Sequence, residues 1–430
     1  LSRRARRTAA AAGTAALLFL LASIAQAEPL TLAKAIDIAL TNNPRTRTTY
    51  LQARAAEAAL GSAKSAYLPE IDLNATAGRV RNSTQAATNS FAPSVALSYL
   101  LFDFGGREAE VEQARQTLAA ANLFHDQAIQ DVILATEQTY YSYLDAKALL
   151  AAQEATVRER RTSLDAAEAR HNAGVATIAD VLQARTALSQ SELDRESIEG
   201  QLRTIEGTFA TVLGSPVTTR YEFGDLPLDI PAQSVTSQVE ELITRATSGR
   251  PDLAATRAEA ERAGARVREV RSAYLPSFVV NSTAGRTIAS GGRSFTPYSA
   301  VVAMNFPVFT GFRNRHDIRE AQIEADLAKE NVRSLEQQVG LQVWTSYYSL
   351  QTATQRLTTA KDLLASATQS ADVARDRYKE GVGNILDVLT AQSALASARA
   401  QEVQARADWF LSVAQLAHDT GTLTQEENTK

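Results

Sequence analysis

The chain is written twice. Ser65-Ala66-Tyr67-Leu68-Pro69 returns as Ser272-Ala273-Tyr274-Leu275-Pro276, a displacement of 207 residues (272 − 65). The same displacement carries Asn74-Ala75-Thr76-Ala77-Gly78-Arg79 onto Asn281-Ser282-Thr283-Ala284-Gly285-Arg286, and Tyr140-Tyr141-Ser142 onto Tyr347-Tyr348-Ser349. It also carries Gly174-Val175 onto Gly381-Val382, Asp180-Val181-Leu182 onto Asp387-Val388-Leu389, and Gly214 onto Gly421. One constant displacement over so much chain means two copies of one structural unit. The halves span 28–214 and 235–421; a connector at 215–234 holds Pro216, Pro227 and Pro231, and a polar tail covers 422–430.

Each half has the same internal order. A helical segment comes first, Leu32–Ala66 and Val239–Ala273, interrupted once by Pro44 and once by Pro251. Two stretches of period two follow, the signature of strands with two unlike faces. They are placed at about 70–80 and 94–103 in the first half, and about 277–287 and 300–309 in the second. Ile71, Leu73, Ala75 and Ala77 share one face, as do Val95, Leu97, Tyr99 and Leu101. The copies present Phe278, Val280, Ser282 and Ala284, then Val302, Met304, Phe306 and Val308. The intervening segments, Arg81–Pro93 and Thr287–Pro297, are rich in Ser, Thr, Asn and Gly and read as loops. Proline is absent from 94–215 and from 308–430, where strong helix formers dominate. That predicts a long helix over Arg107–His171, a shorter one over Thr177–Leu213, and their copies in the second half, the short one over Asn384–His418.

Residues 1–27 read as a signal peptide: Arg3, Arg4, Arg6 and Arg7 precede an apolar run that ends near Ala25-Gln26-Ala27. Its removal changes the formal charge from −4 to −8 (−4 − 4), and an acidic mature chain argues against nucleic acid as a partner. No cysteine is present, which excludes disulfides, thiolate metal sites and a thiol nucleophile. Past residue 27, no apolar run approaches the ~20 residues of a membrane helix. If the mature chain spans a membrane, it does so with strands closed into a barrel. Bacterial single-chain barrels start at about eight strands, and an open edge in lipid leaves backbone groups unpaired. Four strands therefore need further copies of the chain; two copies supply eight and three supply twelve.

These features resemble the TolC-like outer-membrane efflux and secretion channels. The resemblance covers about 31–421. It rests on the duplicated strand-strand-long helix-short helix unit, on Tyr67-Leu68-Pro69 and its copy, and on Phe102-Asp103 before a long helix. Gly174-Val175-Ala176-Thr177-Ile178-Ala179-Asp180-Val181-Leu182, Gly381-Val382-Gly383-Asn384-Ile385-Leu386-Asp387-Val388-Leu389 and Gly249-Arg250-Pro251-Asp252-Leu253 carry it further. It implies an α+β membrane protein: a homotrimer whose twelve strands form a β-barrel in outer-membrane lipid, continued by a periplasmic α-helical barrel. It implies a passive duct, a periplasmic adaptor protein, and an inner-membrane transporter of RND, ABC or MFS type.

The resemblance also implies roles for residues. Gly174, Val175, Gly381 and Val382 form the periplasmic tip where the adaptor docks; a plain hairpin turn is the alternative for the glycines. Asp387 supplies a ring of carboxylates near the pore constriction, or else only a helix-start carboxylate. Tyr378 and Asp180 belong to the closing network. Thr390 stands where the family often has a second aspartate, and Gly383 where it has a latching arginine; Arg377 and Lys379 are candidate substitutes. Tyr67, Tyr99, Phe102, Tyr274, Phe306 and Phe309 suit an interfacial belt or ordinary packing. No catalytic, cofactor or metal site is expected: His125, His171, His316 and His418 are scattered. The rival reading is a soluble periplasmic coiled-coil adaptor or structural spacer.

Overall fold

The computed structural model describes residues 29–82, 85–228, 238–290 and 294–423. The expected signal peptide, part of the connector, and the tail beyond Leu423 lie outside the described residues. Among the described residues no helix is long and apolar enough to cross a membrane.

The first half contains α1 (Leu32–Asn42), α2 (Pro44–Ser65), β1 (Glu70–Asn82), β2 (Gln85–Phe102), α3 (Gly106–Asn172) and α4 (Ile178–Val212). The second contains α5 (Val239–Gly249), α6 (Pro251–Ser272), β3 (Ser277–Gly285), β4 (Thr287–Ala289), β5 (Ser294–Phe295), β6 (Tyr298–Asn305), α7 (Arg313–Lys379) and α8 (Ile385–Asp419). Every helix of the first half returns 207 residues later with both boundaries unchanged, from α1 and α5 (239 − 32) to α4 and α8 (419 − 212). At 67 residues each, α3 and α7 are rods of about 100 Å.

The prolines set the first breaks. Pro44 and Pro251 occupy the opening turns of α2 and α6, and the preceding Asn43 and Arg250 are extended, with φ −66° and −72° and ψ 127° in both. Each of these residues has a second job. Asn43 Nδ2 donates to the carbonyl of Val212 at 2.8 Å, and Arg250 Nη1 to that of Asp419 at 3.2 Å. The last carbonyls of the short helices would otherwise lack partners. Two unlike side chains thus perform one function at equivalent positions.

The strand-to-helix turns also differ in chemistry but not in shape. Phe104 and Gly105 both have positive φ (55° and 88°), and so do Gly311 and Phe312 (65° and 67°). The glycine has changed places between the copies. Asp103 accepts from the Arg107 backbone N–H at 2.6 Å, and Thr310 accepts from that of Asn314 at 3.4 Å, so each long helix begins on a capped amide.

The four main strands pair antiparallel in the order β1-β2-β3-β6, with β4 and β5 extending the sheet beside β2. Register puts Ile71 opposite Leu97, Leu97 opposite Ser282, and Ser282 opposite Ala300; Leu73, Val95, Ala284 and Tyr298 form the next row. All the alternating positions of the sequence reading that lie within paired register fall on this face. The other face carries Asp72, Asn74, Thr76, Ser94, Ser98, Asn281, Thr283 and Ser299, with Ala96 and Val301 among them and an apolar row of Leu100, Val279 and Ala303 at the helix end. Three readings need correction. The segment read as a loop at 287–297 holds the short strands β4 and β5. β2 begins at Gln85, so most of the segment read as a loop at 81–93 is strand. β6 runs 298–305, not 300–309, and Phe306 and Val308 lie beyond it. Pro307 explains the difference: it cannot donate to a ladder, whereas its counterpart Leu100 does not interrupt β2.

The helices pack in rows. On the strand side the order is α2-α3-α6-α7, and on the other side α4-α3-α8-α7. The core is a series of clusters, from an extended one that joins α5, α7 and α8 through Leu242, Val343 and Trp409 to small ones such as Ala120, Ala255 and Ala258 between α3 and α6. Alanine lets helices approach closely and leaves little to fill.

Candidate functional site

The two reversals far from the sheet are built alike. α3 ends with the N–H of Gly174 on the carbonyl of His171 (2.8 Å) and that of Val175 on Arg170 (2.9 Å). α7 ends with Gly381 on Tyr378 (3.1 Å) and Val382 on Arg377 (3.0 Å). These are Schellman terminations, which need a left-handed residue; Gly174 and Gly381 supply it at φ 76° and 78°. The valine that follows is turned out, Val175 to 64% exposure and Val382 to 69%. Ile178, Leu182 and Leu386 on the neighbouring turns are also more than half exposed. The tips thus present apolar side chains on turns that pairs of backbone bonds hold fixed.

Each returning helix starts on a side-chain cap. Thr177 accepts from the N–H of Asp180 at 3.3 Å, and the Asp180 carboxylate accepts from the N–H of Thr177 at 2.9 Å, a reciprocal capping box. In the second tip Asn384 Oδ1 accepts from the N–H of Asp387 at 2.8 Å, and the Asp387 carboxylate is exposed. Thr390 is exposed one turn further along α8. Asp180 is therefore occupied by its cap, while Asp387 faces solvent in the single chain.

Tyr378 is buried beneath the tip with Ile385, Val388 and Leu389. Its partner is a residue that the sequence reading missed. Arg170, on the last turn of α3, donates from Nη1 to the Tyr378 carbonyl at 2.7 Å and lays its guanidinium 4.7 Å over the tyrosine ring. The repeat contains the signal: Arg170 and Arg377 are copies of one position. Arg377 and Lys379 are exposed and bridge nothing with their side chains among the described residues. The Tyr378 hydroxyl is enclosed without a hydrogen-bond partner. Burial raises its pKa, with Arg170 opposing and Asp180 adding to the rise. Asp180 thus acts on Tyr378 only through space. At Gly383 an added Cβ would sit 3.1 Å from the Tyr378 nitrogen, so even a small side chain there would press on the end of α7.

Two further charged groups lie midway along the rods. His418 on α8 bridges Asp131 on α3 (2.9 Å) and Asp419 (3.2 Å). Asp131 also meets Arg45 at 2.5 Å, and Arg250 pairs with Asp252 at 2.6 Å. Burial opposes charge on His418, but the two carboxylates prevail and hold its pKa up at about 9. Asp145 on α3 has an enclosed Oδ1 with no partner. Burial, reinforced by Asp408 on α8, pushes it up to about 6. Among the described residues no group of three or more His, Asp or Glu is placed to hold a metal ion.

The family model described as outer membrane efflux protein matches twice, over residues 35–215 and 242–422. Protein CyaE of Bordetella pertussis is 28% identical over 388 residues, covering 87% of this chain and 81% of that protein. Outer membrane protein TolC of Escherichia coli is 23% identical over 429 residues, covering 94% and 84%. The solved outer-membrane channel OprN superposes with a TM-score of 0.83 at 19% identity, over 92% of this chain and 90% of that one. The soluble-spacer reading therefore falls, and the chain is an exit duct of the outer membrane. The duplicated match, one copy on each half, shows that this chain belongs to the outer membrane efflux protein family.

Proposed function

We propose that three copies of the chain close into one tube. A twelve-stranded barrel would span the outer membrane, and an α-helical barrel would reach into the periplasm. The observation that carries this reading is the sheet. It has one mainly apolar and one mainly polar face, and its outer main strands β1 and β6 have no partner on their far sides among the described residues. An apolar face suits lipid and a polar face suits a water-filled lumen, but open edges do not survive in hydrocarbon. Joining β6 of each chain to β1 of the next closes both edges of the four main strands, and twelve strands leave a lumen that eight would fill with side chains.

In this tube the tips face the periplasm. Val175 and Val382 offer apolar contacts to a periplasmic adaptor, which links the duct to an inner-membrane transporter of RND, ABC or MFS type. The duct itself is passive and conducts small molecules or polypeptides. Asp387, exposed at the start of α8, forms a ring of three carboxylates around the axis, with Thr390 lining the next turn. Arg170 and Tyr378 hold the two hairpins of each chain together, while Asp180 and Gly383 shape the reversals beside them.

Purified chain reconstituted in planar bilayers tests this reading. The expected result is trimers that change electrophoretic migration on heating, together with discrete single-channel steps. A monomeric product, or a membrane without steps, would overturn it.

A further inference from the structure

The sheet carries a charge pattern that conduction does not require. No Asp or Glu lies between Asp72 and Asp103, nor between Glu269 and Asp317, although the chain holds 48 of them. Beyond Asp72, every residue of the four main strands falls inside these two intervals, and the only formal charges there are arginines. Arg79 on β1 returns 207 residues later as Arg286, the residue that joins β3 to β4.

Register puts both arginines on the mainly apolar face. Along β1 that face runs from Ile71 through alternate residues to Arg79, which pairs with Asn89. Along β3 it runs from Phe278 to Arg286, whose N–H donates to the Pro93 carbonyl at 2.9 Å. The pairing of β3 and then β4 with β2 is continuous across this point, so no bulge turns Arg286 to the other face. Each arginine stands one row beyond an aromatic residue on the same face. Phe91 pairs with Ala77, and its copy Tyr298 pairs with Ala284. Phe91 is 47% exposed and Tyr298 87%. From Ile71 to Arg79 is eight residues (79 − 71). That is about 26 Å of strand, or about 20 Å of height at a ~40° tilt, close to the ~25 Å apolar band of a membrane barrel. Both arginines are exposed, and neither has an ion-pair partner among the described residues.

We propose that Arg79 and Arg286 bind the phosphate groups of anionic glycolipid in the outer leaflet of the outer membrane. The inference rests on the closed-tube reading, which turns the apolar face to lipid and the end of the sheet away from the helices outward. An arginine on the lumen face would meet passing anions, whereas these two lie on the lipid face, past an aromatic girdle, where headgroups begin. The guanidinium fork matches phosphate oxygens in pairs. Ile71 shares a row with Ser282, four residues past its own copy Phe278 (282 − 278). Such stagger accompanies the tilt of barrel strands and brings Arg79 and Arg286 to one height. β1 and β3 are two strand spacings apart, about 10 Å, so one headgroup with two phosphates can engage both arginines. The outer rim of the duct is thereby held by charge as well as by apolar area.

Full-length protein in neutral detergent, with lipid A as the probe, tests the proposal. The quantity read is the temperature at which the trimer collapses on heating. Doubly phosphorylated lipid A should raise it by several degrees, and neither dephosphorylated lipid A nor inorganic phosphate should do so. Arg79→Gln/Arg286→Gln should need at least about tenfold more lipid A for the same rise, while Arg79→Lys/Arg286→Lys should keep most of the effect. Arg315→Gln removes an exposed arginine at the helix end of the sheet and should behave as wild type. An undiminished rise in the double glutamine variant, an equal loss in Arg315→Gln, or a rise with dephosphorylated lipid A overturns the headgroup contact. A rise with inorganic phosphate alone overturns it in favour of a free-anion site. Each of these results leaves the closed tube standing. A monomeric mass in detergent before heating overturns the tube and the lipid-facing assignment together.

Discussion

Arg170 Nη1 lies 2.7 Å from the carbonyl oxygen of Tyr378, and the same guanidinium covers the tyrosine ring at 4.7 Å. This contact joins the end of α3 to the end of α7, two hairpins that the chain connects only through the distant sheet and connector. A charged hydrogen bond of this kind contributes about 2 kcal/mol. Arg170→Ala should therefore loosen the tips without dissolving the trimer, and raise mean conductance in planar bilayers several-fold. Arg170→Lys keeps the charge but loses the planar fork, and should fall between. Unchanged conductance in Arg170→Ala would dismiss the contact as a latch.

The exposed tip valines predict a docking phenotype. A carboxylate at a desolvated contact costs far more than a valine returns. Val175→Asp/Val382→Asp should weaken adaptor binding at least about tenfold, with heat-modifiable trimers and bilayer conductance retained. Pull-down with the cognate adaptor measures it, and undiminished capture by the double variant contradicts the assignment.

Asp387 predicts ion selectivity. Three carboxylates around one axis attract cations and repel anions. Asp387→Asn should move the reversal potential in a salt gradient toward zero, whereas Asp180→Asn, which alters a capping box, should leave it in place and lower stability by about 1 kcal/mol. Equal effects of the two on reversal potential would refute the distinction between them.

His418 predicts a stability that depends on pH. Its pKa is about 9 in the fold against 6.5 when unperturbed. The contribution is fully present below pH 6.5 and is lost as pH rises through 9. His418→Gln should lower the unfolding midpoint at pH 6 by the equivalent of about 2 kcal/mol, and the difference from wild type should shrink at pH 10. A difference that stays constant over this range would show that Asp131 and Asp419 do not act through the imidazolium.

Asp145 has the opposite consequence. Its folded pKa of about 6 exceeds the 3.8 of an unperturbed carboxyl, so the fold loses stability as pH rises from 3.8 through 6. Asp145→Asn should therefore stabilise the protein at pH 7.5, by on the order of 1 kcal/mol after solvent screening, and have little effect at pH 4. Thermal melts at the two pH values decide it, and stabilisation of equal size at both would rule out relief of charge.

Much of the architecture was legible because the repeat made each half a check on the other. Gly174 and Gly381 marked the same reversal twice, and the alternating face of β1 predicted that of β3. Legibility failed where one position holds different chemistry in the two halves. Asn43 and Arg250 share no residue type, yet each seals the end of a short helix, a relation visible only once the carbonyls of Val212 and Asp419 are placed. Phe104-Gly105 and Gly311-Phe312 hide one turn behind an exchange of order. Pro307 shortens β6 where Leu100 does not shorten β2, and the polar residues before Pro93 disguised strand as loop because one face of that strand is polar. At the tips, local spacing pointed to Arg377 and Lys379. The residue that engages Tyr378 instead comes from the other half, and one-dimensional proximity does not report such contacts.

The matched lengths of the helices act as a ruler. α3 and α7 have 67 residues each, and α4 and α8 have 35 each. Every strut descends from the sheet by the same number of turns, and every return climbs by the same number. A seven-residue deletion in one strut would lift its hairpin by about 10 Å and leave the mouth of the tube uneven. Such a change is tolerable only when all four helices shorten together. In the proposed tube, changes in helix length would therefore have to arrive in coordinated sets, and whole turns are the steps that keep each helix's buried face pointing inward.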